Sequence, residues 1–391
     1  MLVFLYFCAV KVRLMDCESI STMNDATVWV VTLLIRKALN PGLAIEIPAG
    51  TDWQEALDFA ISQGVLGLCF EALEKLPANQ RPDLEMLMQW YGHTDKQCSQ
   101  YERTWAVARK LDRLWSAAGI HATVLKGRAI AQYYPVPSHR YSCDLDVFIG
   151  HDWERACKLL EEKGVQLEFE VYKEAEFRLD DVYVECHRCI TPYRGNKNLQ
   201  KVERYLRGLL ESSRVQDVLG CFSTKAHPQG AEQGVQGRFF EGTTLACPPL
   251  MFTVMLYVEH ALGDLQQDKL SLKHIVDWVV LRKQDFDRAA FEARCKEFRF
   301  DRVLALIEAL ADVVEGKKTY ESLAPSHRRV YDEIFSLPEE VKASGQRSWF
   351  RKRVNLFFKI MKNNKNFRDF SYTSMPSFLF NSVWSHFFEK I

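Results

Sequence analysis

Cys143-Asp144-Leu145-Asp146-Val147-Phe148-Ile149 is the stretch on which the fold turns. Its apolar, β-branched residues read as a strand. Side chains alternate along a strand, so Asp144 and Asp146 share one face while Leu145, Val147 and Ile149 point into a core. Two carboxylates held side by side on an apolar strand repel each other. A divalent cation resolves that repulsion, and hard oxygen ligands suit magnesium. A solvated polar strand face gives the same Asp-x-Asp pattern, so the neighbouring sequence has to decide.

Downstream, Tyr183-Val184-Glu185-Cys186-His187 reads as a further strand, with Val182, Val184 and Cys186 on its apolar face. Beside the Asp144 strand, Glu185 completes a three-carboxylate cluster able to hold two magnesium ions. The alternative for Glu185 is a cross-strand partner for Arg188 or Lys173. His187 shares the face of Glu185, where it orients a metal-bound water or simply packs. Upstream, the β-prone run His121–Leu125 stops at Lys126-Gly127, and a short helix follows over Arg128–Tyr134, ended by Pro135 and Pro137. Backbone N–H groups opening a helix can face a phosphate. Gly127 lets a phosphate approach the backbone, and Lys126 or Arg128 adds charge. Arg140 either neutralises phosphate or caps the loop before the Asp144 strand.

Working outward, helix, strand, helix, strand, helix and further strands alternate over residues 99–197, which predicts a small sheet domain in an α+β chain. The later strands are expected at Val165–Val171, Phe177–Leu179 and Val182–Ile190. Residues 25–98 read as an N-terminal helical region. The helix Glu102–Ala118 carries Trp105, Ala108, Leu111, Leu114 and Trp115 on one stripe. Residues 198–345 form a second helical domain with a mobile loop at 223–243, rich in Gly and Gln. Residues 346–391 read as basic, aromatic C-terminal helices. They would either pack on the helical domain or meet an anionic surface.

The counts of Lys+Arg and Asp+Glu are both 51, so bulk charge gives no sign of a nucleic-acid or membrane binder. No RNA-binding appendage is evident, and this weighs against nucleic acid as the acceptor. The 11 cysteines hold one Cys-x-x-Cys, Cys186 to Cys189, with no second pair to complete a zinc site. They read as reduced cysteines of a cytoplasmic protein. Met1–Val10 is apolar but lacks a basic start and a cleavage motif, and it is too short to span a bilayer. Residues 1–24 are therefore expected to be a mis-assigned or disordered start. No stable membrane insertion is expected.

Taken in order, Val124-Leu125-Lys126-Gly127-Arg128-Ala129-Ile130-Ala131, Tyr134-Pro135, Arg140 and Asp144-Leu145-Asp146-Val147-Phe148-Ile149 resemble the uncharacterised nucleotidyltransferase family of bacterial genomes. That family belongs to the DNA polymerase β nucleotidyltransferase superfamily. Val184-Glu185-Cys186-His187 looks like its later x-Glu-x-His strand. His260, and Leu272-Lys273-His274-Ile275-Val276-Asp277-Trp278, fit its helical part. The resemblance covers roughly residues 100–290. It implies a polymerase-β-type core with a small mixed sheet, flanked by N- and C-terminal helical regions. It also implies transfer of a nucleoside monophosphate from a triphosphate to a hydroxyl acceptor, with Asp144, Asp146 and Glu185 as metal ligands and two magnesium ions. The wider superfamily opens with glycine-serine or glycine-glycine where this chain has Lys126-Gly127, so triphosphate binding is expected to differ in detail.

Two alternatives stay open. His274 and Asp277 are three apart on a helix and share a face, so with His260 they suit a metal-dependent phosphohydrolase, or a lid facing the nucleotide. Lys273 either faces the nucleotide phosphates or sits on a solvated helix face. A non-catalytic nucleotide-binding module of the same fold is the other reading of the whole chain.

Overall fold

The computed structural model describes residues 23–170, 173–192, 196–220, 239–240, 242–267, 270–335, 360–361 and 363–378. Residues 1–22 of the start expected at 1–24, most of the 223–243 loop and most of the basic C-terminal stretch lie outside them, while Met23 and Asn24 open a helix. Five strands form one sheet: β1 Thr123–Val124, β2 Asp144–Phe148, β3 Glu168–Glu170, β4 Glu174–Leu179 and β5 Val182–His187. Their order is β1-β2-β5-β4-β3. β2 and β5 run parallel, and every other neighbouring pair is antiparallel.

A parallel pair cannot be closed by a tight hairpin. Here helix α6 (Trp153–Glu162) and the β3–β4 hairpin make the crossover. The β4–β5 turn places Asp180 and Asp181 at φ 48° and 62°. Two successive left-handed residues are the mark of a tight primed hairpin turn, and aspartate tolerates them better than most residues.

The sheet separates its two faces by the alternation read from sequence. Leu145, Val147, Ala175, Phe177, Val184 and Cys186 pack against α6 and against Trp105, Ala108, Leu111 and Trp115 of helix α4 (Leu84–Ala117). Cys186 thus lies in the core, opposite the face that carries Glu185. Trp153 of α6 donates its indole N–H to the Cys186 carbonyl at 2.8 Å, pinning the helix over β5. α4 begins well before the stripe that reveals it. Its first turns bury Trp90 but leave Leu84, Met88 and Tyr91 exposed, so apolar residues stand on both faces and blur the periodicity. Asp83 starts the helix by accepting from the Met86 N–H at 2.9 Å.

The remaining helices are α1 (Met23–Leu39), α2 (Trp53–Ser62), α3 (Leu66–Leu73), α5 (Lys126–Ala131), α7 (Lys197–Gly220), α8 (Leu250–Gln267), α9 (Leu272–Leu281), α10 (Arg288–Glu297), α11 (Asp301–Val314), α12 (Pro325–Phe335) and α13 (Asn364–Phe370). The N-terminal and C-terminal helical regions share one apolar core, with Val31 and Leu34 of α1 in the same cluster as Trp278 of α9 and Leu310 of α11. Arg36 of α1 donates to the carbonyls of Val314 and Val313 at 2.7 and 2.9 Å, satisfying the C-terminal end of α11. Leu125, Ile130, Tyr134 and Phe148 join this core from the sheet domain. The sheet domain therefore packs on the helical body through these residues. No helix among the described residues is long and apolar enough to cross a membrane.

Candidate active site

Strand register assembles the site. The parallel β2–β5 pairing sets Asp146 opposite Glu185 and Phe148 opposite His187. The antiparallel β4–β5 pairing sets Glu174 opposite His187. Lys126, at the first turn of α5, reaches over the same face. Its Nζ lies 2.6 Å from Asp146 Oδ1 and 3.2 Å from Glu185 Oε2. The fully buried His187 is flanked by carboxylates on both ring nitrogens. Nε2 is 2.9 Å from Asp146 Oδ1 and 3.4 Å from Glu185 Oε2, and Nδ1 is 2.6 Å from Glu174 Oε2. Glu174 was not among the residues singled out in the sequence. The alternation Glu174-Ala175-Glu176-Phe177 puts it on the polar face, but only the hairpin register reveals that it meets His187.

These contacts set the charge states. Burial would lower the Lys126 ammonium, but Asp146, Glu185 and Glu174 hold it well above its usual value. Burial and Lys126 pull His187 down, and its three carboxylate neighbours more than offset them, raising it to about 9. Burial lifts the Asp146 carboxyl above its usual range despite Lys126 and His187. Glu185 is half-buried, and although desolvation pushes its carboxyl up, Lys126 and His187 bring it well below that range. Glu174, against burial, is drawn to about 2 by His187. Asp144 stands at the start of β2, beside this cluster, and accepts a hydrogen bond from Ser142 Oγ at 3.0 Å.

The other expected phosphate-binding residues divide into three situations. Arg140 is buried and its guanidinium is engaged: Nε and Nη2 each donate to Asp277 at 2.8 Å, and the Tyr134 hydroxyl donates to the same carboxylate at 2.7 Å. Arg128 is buried with its guanidinium 4.5 Å over the Tyr101 ring. Its Nε and Nη2 have no hydrogen-bond partner among the described residues, and burial lowers its pKa to about 10. Lys273 forms no ion pair among the described residues. Burial and nearby Arg140 lower its pKa, outweighing the pull of Asp277 and Asp144. Lys273 is thus, with Arg128, a cation without an ion-pair partner near Asp144 among the described residues.

Gly127 is packed rather than free. A Cβ there would lie 2.4 Å from Ser142 Oγ and 3.1 Å from Arg140 Nη1. Gly127→Ala is expected to push α5 off β2 and cost about 1–3 kcal/mol, as overpacking does, read as a lower unfolding midpoint in a denaturant titration. An unchanged midpoint would show that the contact yields without cost.

At the start of α9, the backbone N–H of Ser271 donates to His274 Nδ1 at 3.0 Å. That leaves His274 Nε2 facing Asp264 Oδ2 at 3.3 Å, with half-exposed His260 at 3.7 Å from the same oxygen. His260 and His274 therefore meet at Asp264, while Asp277 is held by Arg140 and Tyr134. The trio expected for a phosphohydrolase is not brought together.

Next to His260, burial raises the Glu259 carboxyl to about 7, although Lys173 and Lys126 pull the other way. The fold thus favours its protonated form. That contribution is complete below the unfolded value near 4.5 and is lost as pH rises through about 7. Glu259→Gln is expected to raise the melting temperature at pH 8 by roughly 5 °C and to leave it unchanged at pH 4.5. Equal melting shifts at both pH values would contradict a buried, titrating Glu259.

The donor set fits a divalent cation. Asp146, Glu185 and His187 each offer one ligand atom, all within 4.8 Å of one another. An ammonium already lies against both carboxylates, so this spot attracts positive charge. Carboxylate oxygens favour magnesium or manganese. Compared with known proteins, neither a curated protein nor a solved structure matches the chain. Residues 49–314, well over half its length, match the family described as uncharacterised nucleotidyltransferase. A mixed sheet that gathers acidic residues on one face, flanked by helices, is the architecture such an enzyme requires, and the chain belongs to the uncharacterised nucleotidyltransferase family.

Proposed function

We propose that the protein is a magnesium-dependent nucleotidyltransferase that moves a nucleoside monophosphate from a nucleoside triphosphate to a hydroxyl acceptor and releases pyrophosphate. The observation that carries this reading is the parallel register that sets Asp146 against Glu185 on the open face of the sheet. When bound, magnesium supplies charge neutralisation for the phosphates, which is most of what such a transfer demands. Asp144 and Asp146 are the residues that would hold it. Lys273, without an anionic partner among the described residues, faces the triphosphate. Arg128, stacked on Tyr101 with two partnerless nitrogens, adds positive potential near Asp144. Gly127 brings α5 against the Asp144 strand. Arg140 acts one step back, by fixing the segment that enters β2. Positioning and electrostatics are the main contributions. The site works in the cytoplasm, where magnesium and nucleotides are abundant.

The test is incubation of the full chain with each of the four labelled nucleoside triphosphates, magnesium and cell lysate as the acceptor source. Label is expected to pass to a non-nucleotide species with matching pyrophosphate release, and to stop on chelation. Calorimetric binding of a nucleotide without any transfer would favour a nucleotide-binding module instead.

A further inference from the structure

Three carboxylates on one face would ordinarily hold two ions. In this fold one of the positions is already filled. We propose that the Lys126 ammonium permanently replaces one of the two divalent ions, so that a single ion serves the site at its Asp144–Asp146 end. This inference rests on the nucleotidyltransferase reading above.

The argument begins with which oxygens are taken. Lys126 Nζ and His187 Nε2 both contact Asp146 Oδ1, at 2.6 and 2.9 Å. The same two nitrogens contact Glu185 Oε2, at 3.2 and 3.4 Å. The oxygens that would bridge an ion between β2 and β5 therefore each face two nitrogen donors. Glu174 Oε2 lies 2.6 Å from His187 Nδ1, so the ring has a carboxylate on its far side as well. Asp144, two residues before Asp146 on the same strand, makes no ion pair among the described residues and marks the end left for the divalent ion.

Lys126 is also built into this position rather than draped over it. Its backbone sits at φ 44°, a left-handed conformation that costs a non-glycine residue energy and persists only where the surroundings impose it. The residue before it is tied to the metal strand, since the Leu125 N–H donates to the Asp146 carbonyl at 2.9 Å. The residue after it is wedged against Ser142 and Arg140. An ion entering between Asp146 and Glu185 would have to expel an ammonium whose flanking backbone cannot follow. The strain at Lys126 accordingly serves to aim its side chain.

Manganese can stand in for magnesium and be counted by electron paramagnetic resonance. The chelator-stripped full chain, titrated with manganese alone, is expected to bind about one ion with an uncoupled spectrum, because only a pair about 3.5–4 Å apart gives spin-coupled lines. Asp146→Asn should lose that ion, which identifies the site. Lys126→Met keeps the stem and removes the charge, and it is expected to double the stoichiometry and introduce coupling. A coupled pair in the wild-type chain, or a single ion in a folded Lys126→Met chain, overturns the proposal while leaving the transferase reading intact. No bound ion at millimolar manganese overturns both. Should Lys126→Met fail to fold by circular dichroism, the wild-type count and Lys126→Gln decide the question.

Discussion

Asp146→Asn is expected to abolish nucleotide transfer, with a fall of at least about 10³-fold, the scale of removing an essential preorganised charge. The side chain keeps its size, and its amide oxygen can still accept from His187, so the strand should stay in register. What is lost is the negative charge that faces Lys126 and that the proposed metal would need. Asp146 is the most buried of the three expected ligands, and it lies closer than Glu185 to both Lys126 and His187. The measurement is labelled-nucleotide transfer on protein whose circular dichroism and melting curve are close to wild type. Transfer at the wild-type rate would remove Asp146 from the chemistry and, with it, the reading of this face as an active site.

Asp277→Ala should produce the largest loss of stability. Asp277 accepts two hydrogen bonds from Arg140 and one from the Tyr134 hydroxyl, and all three side chains are buried. Removing the carboxylate strands a guanidinium with no water to take its place. Breaking a buried pair in this way costs about 3–5 kcal/mol, equivalent to roughly 10 °C in a chain of this size. Replacing both partners, Arg140→Leu with Asp277→Leu, should recover much of the loss, since two apolar side chains leave no charge behind. A thermal double-mutant cycle reads the coupling directly. A single variant as stable as wild type would show that Arg140 finds another partner. The pair joins α9 to the segment leading into β2, so the variant should also loosen Asp144 and depress transfer beyond its effect on folding.

The sequence carries those parts of the site that depend on local alternation. Asp144 and Asp146 share a face because they are two apart on a strand, and Glu185 and His187 do so for the same reason. Their meeting follows from pairing β2 with β5, which the order of motifs suggests. What stays hidden depends on partners distant in the chain. Arg140 looks like a phosphate ligand until α9 supplies Asp277, 137 positions later. Lys126 looks like a phosphate ligand too, but its reach to Asp146 and Glu185 depends on an unusual backbone angle that no residue pattern announces. His274 and Asp277 share a helical face by spacing. Yet the packing of α8 and of the Arg140 segment draws them to different partners, Asp264 and Arg140. The two helical regions likewise read as separate because they are separated along the chain, whereas their apolar faces fill one core.

That shared core has a consequence for how the protein is made. During synthesis α1, α2 and α3 can pack on one another as they leave the ribosome, but the part of their apolar surface that enters the common core waits for α8, α9 and α11, roughly two hundred residues later. Pairings so distant in sequence form slowly, and exposed apolar surface invites aggregation in the interval. The sheet with α4 and α6 can close its own core in the meantime. The nascent chain would then carry a completed sheet and a waiting N-terminal cluster of helices, and the shared core would close only when the last third of the polypeptide arrives.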